Sequence, residues 1–339
     1  MEANARSSAA ARTARYLKAH PVLTLLILTP GIPEYITSSS PLNAIVLNPS
    51  QFVFQLVANL GLYGSGALLI HDAGIRWGKG WGSVLLLGLA YGILEEGIAL
   101  STLFNPQAGP IGSLGVYGRW LGVNWIWAAQ IVPFHAIFSI SIPILLLGFA
   151  IPETRETPLL TRRRTAAVLA ILAFDVAILM AIVWRTTGYW MGLPILTLSL
   201  LSVAGLAVAS HRIPAEAHRS STATSPPRTR MVLAGASFFP AVVLAESLGE
   251  GSGIPAILDF VLVLGVQSLY LVYLARVDWS DEQRTVAFVL GLLIPLAVFG
   301  VLAELAFPMT LLADVALFLF IRWLWRSRRP AGSLPLTVS

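Results

Sequence analysis

The residues best placed for chemistry are Glu95 and Glu96, adjacent acids inside the apolar run Leu87–Gly97. Ionisable groups in such a run are costly, so by default they pair, face a cavity or serve a pathway. Two close carboxylates repel when both are ionised. One of them is then the natural holder of a proton, which suits a general base or a proton carrier. Neighbours on an α-helix point about 100° apart. The two acids therefore need not share a partner: one can face a catalytic cavity while the other binds a neighbouring helix.

Downstream, His135 and Ser139 are four residues apart and fall on one helix face, which Gln130 does not share. Between the two groups runs Phe104-Asn105-Pro106 to Gly122-Val123-Asn124-Trp125, rich in Gly, Asn and aromatics. A segment of this make-up is expected to fold back over the polar site as a lid or re-entrant element. Within it, Arg119 is the expected counter-charge for a glutamate, and Asn124 or Arg119 could polarise a carbonyl. Glu95, Glu96 and His135 are thus the candidate catalytic residues, with Asn124, Arg119 and Ser139 as candidate substrate contacts. Glu34, Asp259 and Asp314 form a secondary polar set. Glu246, Glu250 and Glu304 near helix ends read as interfacial, as do His71 and Asp72. A structural hydrogen bond would account for His135 as well as catalysis does.

The elements that position these residues follow from composition. The chain has 339 residues, 56% hydrophobic and 12% charged. Soluble domains carry about 25% charged residues, so too little charge is present to cover a surface in water. The fold class expected is all-α, a polytopic transmembrane bundle. At about 20 apolar residues per span, the runs fall at about 18–37, 52–72, 81–103, 126–150, 165–184, 190–210, 231–248, 254–275, 285–304 and 306–323. The last two are joined by a tight turn near Phe307-Pro308 and read as a hairpin or as including a re-entrant segment. Gly88 and Gly92 form a small-xxx-small face on the third span, suited to close helix approach.

With both termini in the cytoplasm, the positive charges sort to one side. Inside fall Arg6, Arg12, Arg15 and Lys18; Arg76 and Lys79; Arg155 with Arg162–Arg164; Arg212, Arg219, Arg228 and Arg230; Arg276 and Arg284; and Arg322, Arg326, Arg328 and Arg329. Of the 22 Lys and Arg residues, Arg119 and Arg185 remain outside. The basic N-terminus resembles a signal peptide but lacks a small-residue cleavage site, and is read as a retained first helix in the cell membrane. Residues 1–211 read as a six-span front half carrying the Glu-Glu/His site. Residues 212–230 read as a flexible cytoplasmic linker, 231–325 as a four-span back half and 326–339 as a cytoplasmic tail.

Glu95-Glu96 deep in a span, followed by a helix bearing a histidine, resembles the CPBP family of intramembrane proteases, which includes the CAAX prenyl endopeptidases. The resemblance covers about residues 80–150. It rests on the start of a Glu-Glu-x-x-x-Arg motif at Glu95-Glu96 and on His135-x-x-x-Ser139, a loose match to a later His-x-x-x-Asn-type motif. It implies a glutamate-activated water that attacks a peptide bond. The motif arginine falls at Leu100, the aromatic four before His135 at Ile131, and no later span holds a second histidine.

The net charge of +5 accompanies no nucleic-acid motif. With no cysteine, thiolate metal sites, disulfides and cysteine nucleophiles are excluded. No cofactor is expected. A divalent metal on Glu95, Glu96 and His135 is a variant without the H-x-x-x-H spacing of familiar zinc sites. Three functions are open: a glutamate-dependent intramembrane protease acting on a membrane-embedded peptide or lipid, a cation- or proton-coupled transporter, and a non-catalytic membrane partner subunit. The lipid bilayer is the one partner common to all three; the oligomeric state is open.

Overall fold

The computed structural model describes residue 12 and residues 15–214 and 224–327. The middle of the expected linker, most of the tail and Arg6, Arg219, Arg328 and Arg329 lie outside the described residues. The chain is an all-α bundle. Helix α1 runs Pro21–Pro30 and widens into a π turn at Gly31–Tyr35. Then follow α2 (Pro49–Arg76), α3 (Trp81–Ala99), α4 (Trp125–Ala150), α5 (Arg162–Thr187) and α6 (Gly192–Arg212). The back half adds α7 (Arg228–Ser252), α8 (Ala256–Ala275), α9 (Glu282–Ala303) and α10 (Thr310–Ser327). Eight of these, α2 to α9, are long and apolar enough to cross a membrane. Helix α1 is shorter, and α10 carries Asp314, Arg322 and Arg326.

Burial sorts the helices into a core and a rim. In the most apolar stretch, 67% of α3 and 61% of α4 is buried, against 11% of α5 and α8 and 6% of α6. Rim residues such as Phe174, Leu201 and Leu269 stand 61–72% exposed, as expected where lipid rather than water is the surrounding solvent. Two apolar cores meet on the inner helices. One packs Leu25 of α1 with Leu62, Val84, Ile140 and Leu172. The other joins Ile32, Phe138 and Leu146 of the front half to Val289, Leu296 and Leu324 of the back half.

The crossing that matters for the site is α3 on α4. A Cβ added to Gly88 would lie 2.8 Å from the Ala136 Cα, and one on Gly92 2.8 Å from the Val132 carbonyl oxygen. Only hydrogen fits at these two points, so the backbones touch and the ends of α3 and α4 that carry Glu95, Glu96 and His135 are drawn together. The loop between them holds a two-residue antiparallel ribbon, β1 (Arg119–Trp120) and β2 (Val123–Asn124), with Arg119 opposite Asn124.

Three residues read as interfacial are buried within the protein. His71 and Asp72 are 5% and 1% exposed. Asp72 accepts the Leu159 and Leu160 amides at 2.7 and 2.9 Å, and His71 Nε2 lies 2.9 Å from the Thr154 carbonyl oxygen. Hydrogen bonds to the turn before α5 therefore replace solvation. Glu304 is likewise buried: it accepts the Ser38 hydroxyl at 2.7 Å and the Thr310 amide at 3.0 Å, holding the turn between α9 and α10.

Candidate functional site

Among the described residues there are four π-helical turns, and each carries part of one polar cluster. Gly31–Tyr35 holds Glu34, Leu60–Gly64 holds Tyr63, Ile93–Ala99 holds Glu95 and Glu96, and His135–Ser141 holds His135 and Ser139. A π turn closes i→i+5 bonds, as from the Leu100 amide to the Glu95 carbonyl at 2.8 Å. Proline accounts for two of them. Pro30 and Pro33 in α1 and Pro133 ahead of the turn in α4 supply no amide to the ladder.

The widened turn changes what the two glutamates can do. On a regular α-helix they would diverge and need not share a partner. Here both reach the same imidazole: Glu96 Oε1 is 2.9 Å from His135 Nε2 and Glu95 Oε2 is 3.1 Å from His135 Nδ1. Ser139 Oγ is also 2.9 Å from Nδ1. The second oxygen of Glu96 accepts the Thr102 hydroxyl, which in turn receives the Trp127 indole N–H at 3.1 Å. Glu95, Glu96 and His135 are 0%, 6% and 3% exposed. The Glu95 carboxylate is fully enclosed, and apart from the approach of Oε2 to His135 Nδ1 no hydrogen bond of regular geometry reaches its oxygens.

Glu34 joins the cluster from α1. The Tyr63 hydroxyl donates to Glu34 Oε1 at 2.5 Å, and Ser40 donates to Oε2 at 2.7 Å. The rings of Tyr63 and Tyr91 lie 6.1 and 6.3 Å from the His135 imidazole. One device recurs: after its π turn each acid is met by a hydroxyl six residues on, Ser40 for Glu34 and Thr102 for Glu96. In both, an intervening serine takes positive φ, Ser38 at 62° and Ser101 at 58°. Such strain persists only where surrounding bonds hold it.

Other sequence candidates lie elsewhere. Arg119 makes no ion pair with Glu95 or Glu96; it donates to the Phe104 carbonyl at 2.6 Å and lies beside Tyr189. Burial raises the Tyr189 hydroxyl pKa, and the Arg119 charge offsets part of that rise. Asn124 caps α4, accepting the Trp127 amide at 2.8 Å while donating to the Tyr117 carbonyl at 3.3 Å. Asp259 is buried in the first turn of α8 against Gly249 of α7, away from the cluster. Asp314 is part-buried in α10 near Glu304. Tyr63, Tyr91 and Thr102 were not among the expected site residues. Nothing about an isolated tyrosine or threonine in an apolar run marks it, and Trp127 reads as a membrane anchor until its indole is seen donating into the cluster.

Searches for a matching protein-family model, a curated relative or a similar solved structure return no match. The reading of the site rests on its own chemistry.

Proposed function

We propose that this protein is a glutamate-dependent intramembrane hydrolase that cuts a peptide bond within the bilayer. The observation that carries the reading is the enclosed carboxylate–imidazole–carboxylate arrangement of Glu95, His135 and Glu96. In a low-dielectric site such a set can move protons without exposing charge to water. In the step proposed, Glu95 accepts a proton from water as its oxygen bonds to the scissile carbonyl carbon. His135, held by Glu96 and Ser139, protonates the amine as the C–N bond breaks. The product is a carboxylic acid and a free amine. Since the cluster is closed, turnover calls for Thr102 and its loop to withdraw from Glu96. The resemblance of Glu95-Glu96 and His135 to the CPBP pattern agrees with this reading. The topology proposed with it has ten spans, cytoplasmic termini and the cluster in the outer half of the cell membrane.

A second reading, a proton-coupled carrier, draws on the polar run Asn59–Ser40–Glu34–Tyr63 that leads to the cluster. Wild type and the Glu95→Gln/Glu96→Gln double variant, each in liposomes with membrane-tethered peptides, separate the two. Cleavage by wild type alone supports hydrolysis. Proton flux without cleavage, lost in Glu34→Gln, would overturn it in favour of the carrier.

A further inference from the structure

The acid content of the cluster exceeds what its own cations can balance. Glu95 and Glu96 face one imidazole, Glu34 adds a third carboxylate through Tyr63, and Arg119 pairs with none of them. Burying several carboxylates against one imidazole in an apolar surround is costly unless further positive charge is present. The ligand geometry offers a place for it. One atom from each of Glu95, Glu96 and His135 lies within 4.8 Å of the others, and all three residues are buried. Glu95 presents two enclosed oxygens without a hydrogen bond of regular geometry, only Oε2 approaching a cation, His135 Nδ1 at 3.1 Å.

The surrounding bonds have the form of an outer shell. A metal-binding histidine usually has its other ring nitrogen fixed by a hydrogen bond, and ligating carboxylates are themselves hydrogen-bonded. Here Ser139 Oγ lies 2.9 Å from Nδ1, which Glu95 Oε2 also approaches at 3.1 Å, Nε2 faces Glu96, and Thr102 engages the far oxygen of Glu96 while Trp127 engages Thr102.

We propose that Glu95, Glu96 and His135 bind one divalent first-row transition metal, Zn2+ or Mn2+, with Ser139 and Thr102 as positioning residues. Mixed imidazole and carboxylate donors without thiolate suit these ions. Each glutamate has two oxygens, so Glu95 can ligate through one and accept a proton on the other. The inference concerns the same cluster but not its reaction, since an ion would serve a catalytic and a purely structural site alike.

The test uses tag-free full-length protein in detergent, stripped with a chelator, exposed separately to Zn2+ and Mn2+, desalted and analysed for bound metal and for unfolding temperature. The expected result is about one ion per chain and a raised unfolding temperature, as for any ligand that binds only the folded form. His135→Ala and the near-isosteric Glu95→Gln should each abolish retention, and Ser139→Ala should weaken affinity by about 10–100-fold. Asp259→Asn, on α8 away from the cluster, should bind as wild type does. Retention by fewer than about one chain in ten, or equal retention by wild type, Glu95→Gln and His135→Ala, would overturn the inference. Because binding is read on the metal alone, that failure leaves hydrolysis to be judged by the peptide assay.

Discussion

Gln267 of α8 donates its side-chain amide to the Ala129 carbonyl of α4 at 2.7 Å. That carbonyl stands four residues before Pro133, which has no N–H to give it. In hydrocarbon an orphaned carbonyl costs free energy, and a neighbouring helix is the natural source of a donor. The back half thus stabilises the break in α4 that lies just before His135.

The first prediction follows from this bond. Gln267→Met keeps the size and removes the donor, and should destabilise the protein by about 1–3 kcal/mol. In a Pro133→Ala background the restored amide can reach Ala129, so the same change should cost less. A double-mutant cycle on detergent unfolding reads the difference, and a coupling near zero would show that Gln267 acts elsewhere.

The α3–α4 crossing gives the second. Gly92→Ala places a methyl against the Val132 carbonyl, and Gly88→Ala places one against Ala136. Each should cost about 1–3 kcal/mol as an overpacked contact. Gly205→Ala, where nothing lies within 4 Å, should be neutral or slightly stabilising. Equal unfolding temperatures for all three variants would contradict the close approach.

How much of this is legible in the sequence differs by residue. The membrane class and the Gly88/Gly92 contact follow from apolar runs and small-residue spacing, which are local. That Glu95, Glu96 and His135 form one candidate set follows from their residue types on consecutive apolar runs. What did not follow is the shared imidazole, because α-helical periodicity separates adjacent side chains and the π turn is set by bonds the pattern does not encode. Arg119 shows the complementary limit. Charge complementarity pointed it at a glutamate, whereas the ribbon geometry of Arg119 opposite Asn124 turns it to Phe104.

Asp72 yields the third prediction. Its carboxylate accepts two backbone amides and lies 3.3 Å from Arg76 Nη2. Asp72→Ala leaves both amides and a guanidinium contact unmet, with an expected loss of about 3 kcal/mol or more. Asp72→Asn keeps one acceptor oxygen and should lose less. Hydrogen exchange at Leu159 and Leu160 checks the cause: both amides should exchange faster in either variant, more so in the alanine.

The last prediction concerns the link between Glu34 and the cluster. Tyr63→Phe removes the 2.5 Å hydrogen bond to Glu34 while leaving the ring beside His135. Hydrogen bonds to charged groups contribute about 1.5–3 kcal/mol, so unfolding stability should fall by that order. Ser40→Ala removes the other donor to the same carboxylate. With both gone, Glu34 is a part-buried acid without a side-chain donor, and the double variant should lose more than the two single losses added together. Glu34→Gln separates bond from charge: in that background Tyr63→Phe should cost less, since its acceptor is no longer a carboxylate. Strict additivity across Tyr63→Phe, Ser40→Ala and Glu34→Gln would mean that the three do not act as one network. Glu34 would then stand apart from the Glu95–Glu96–His135 cluster.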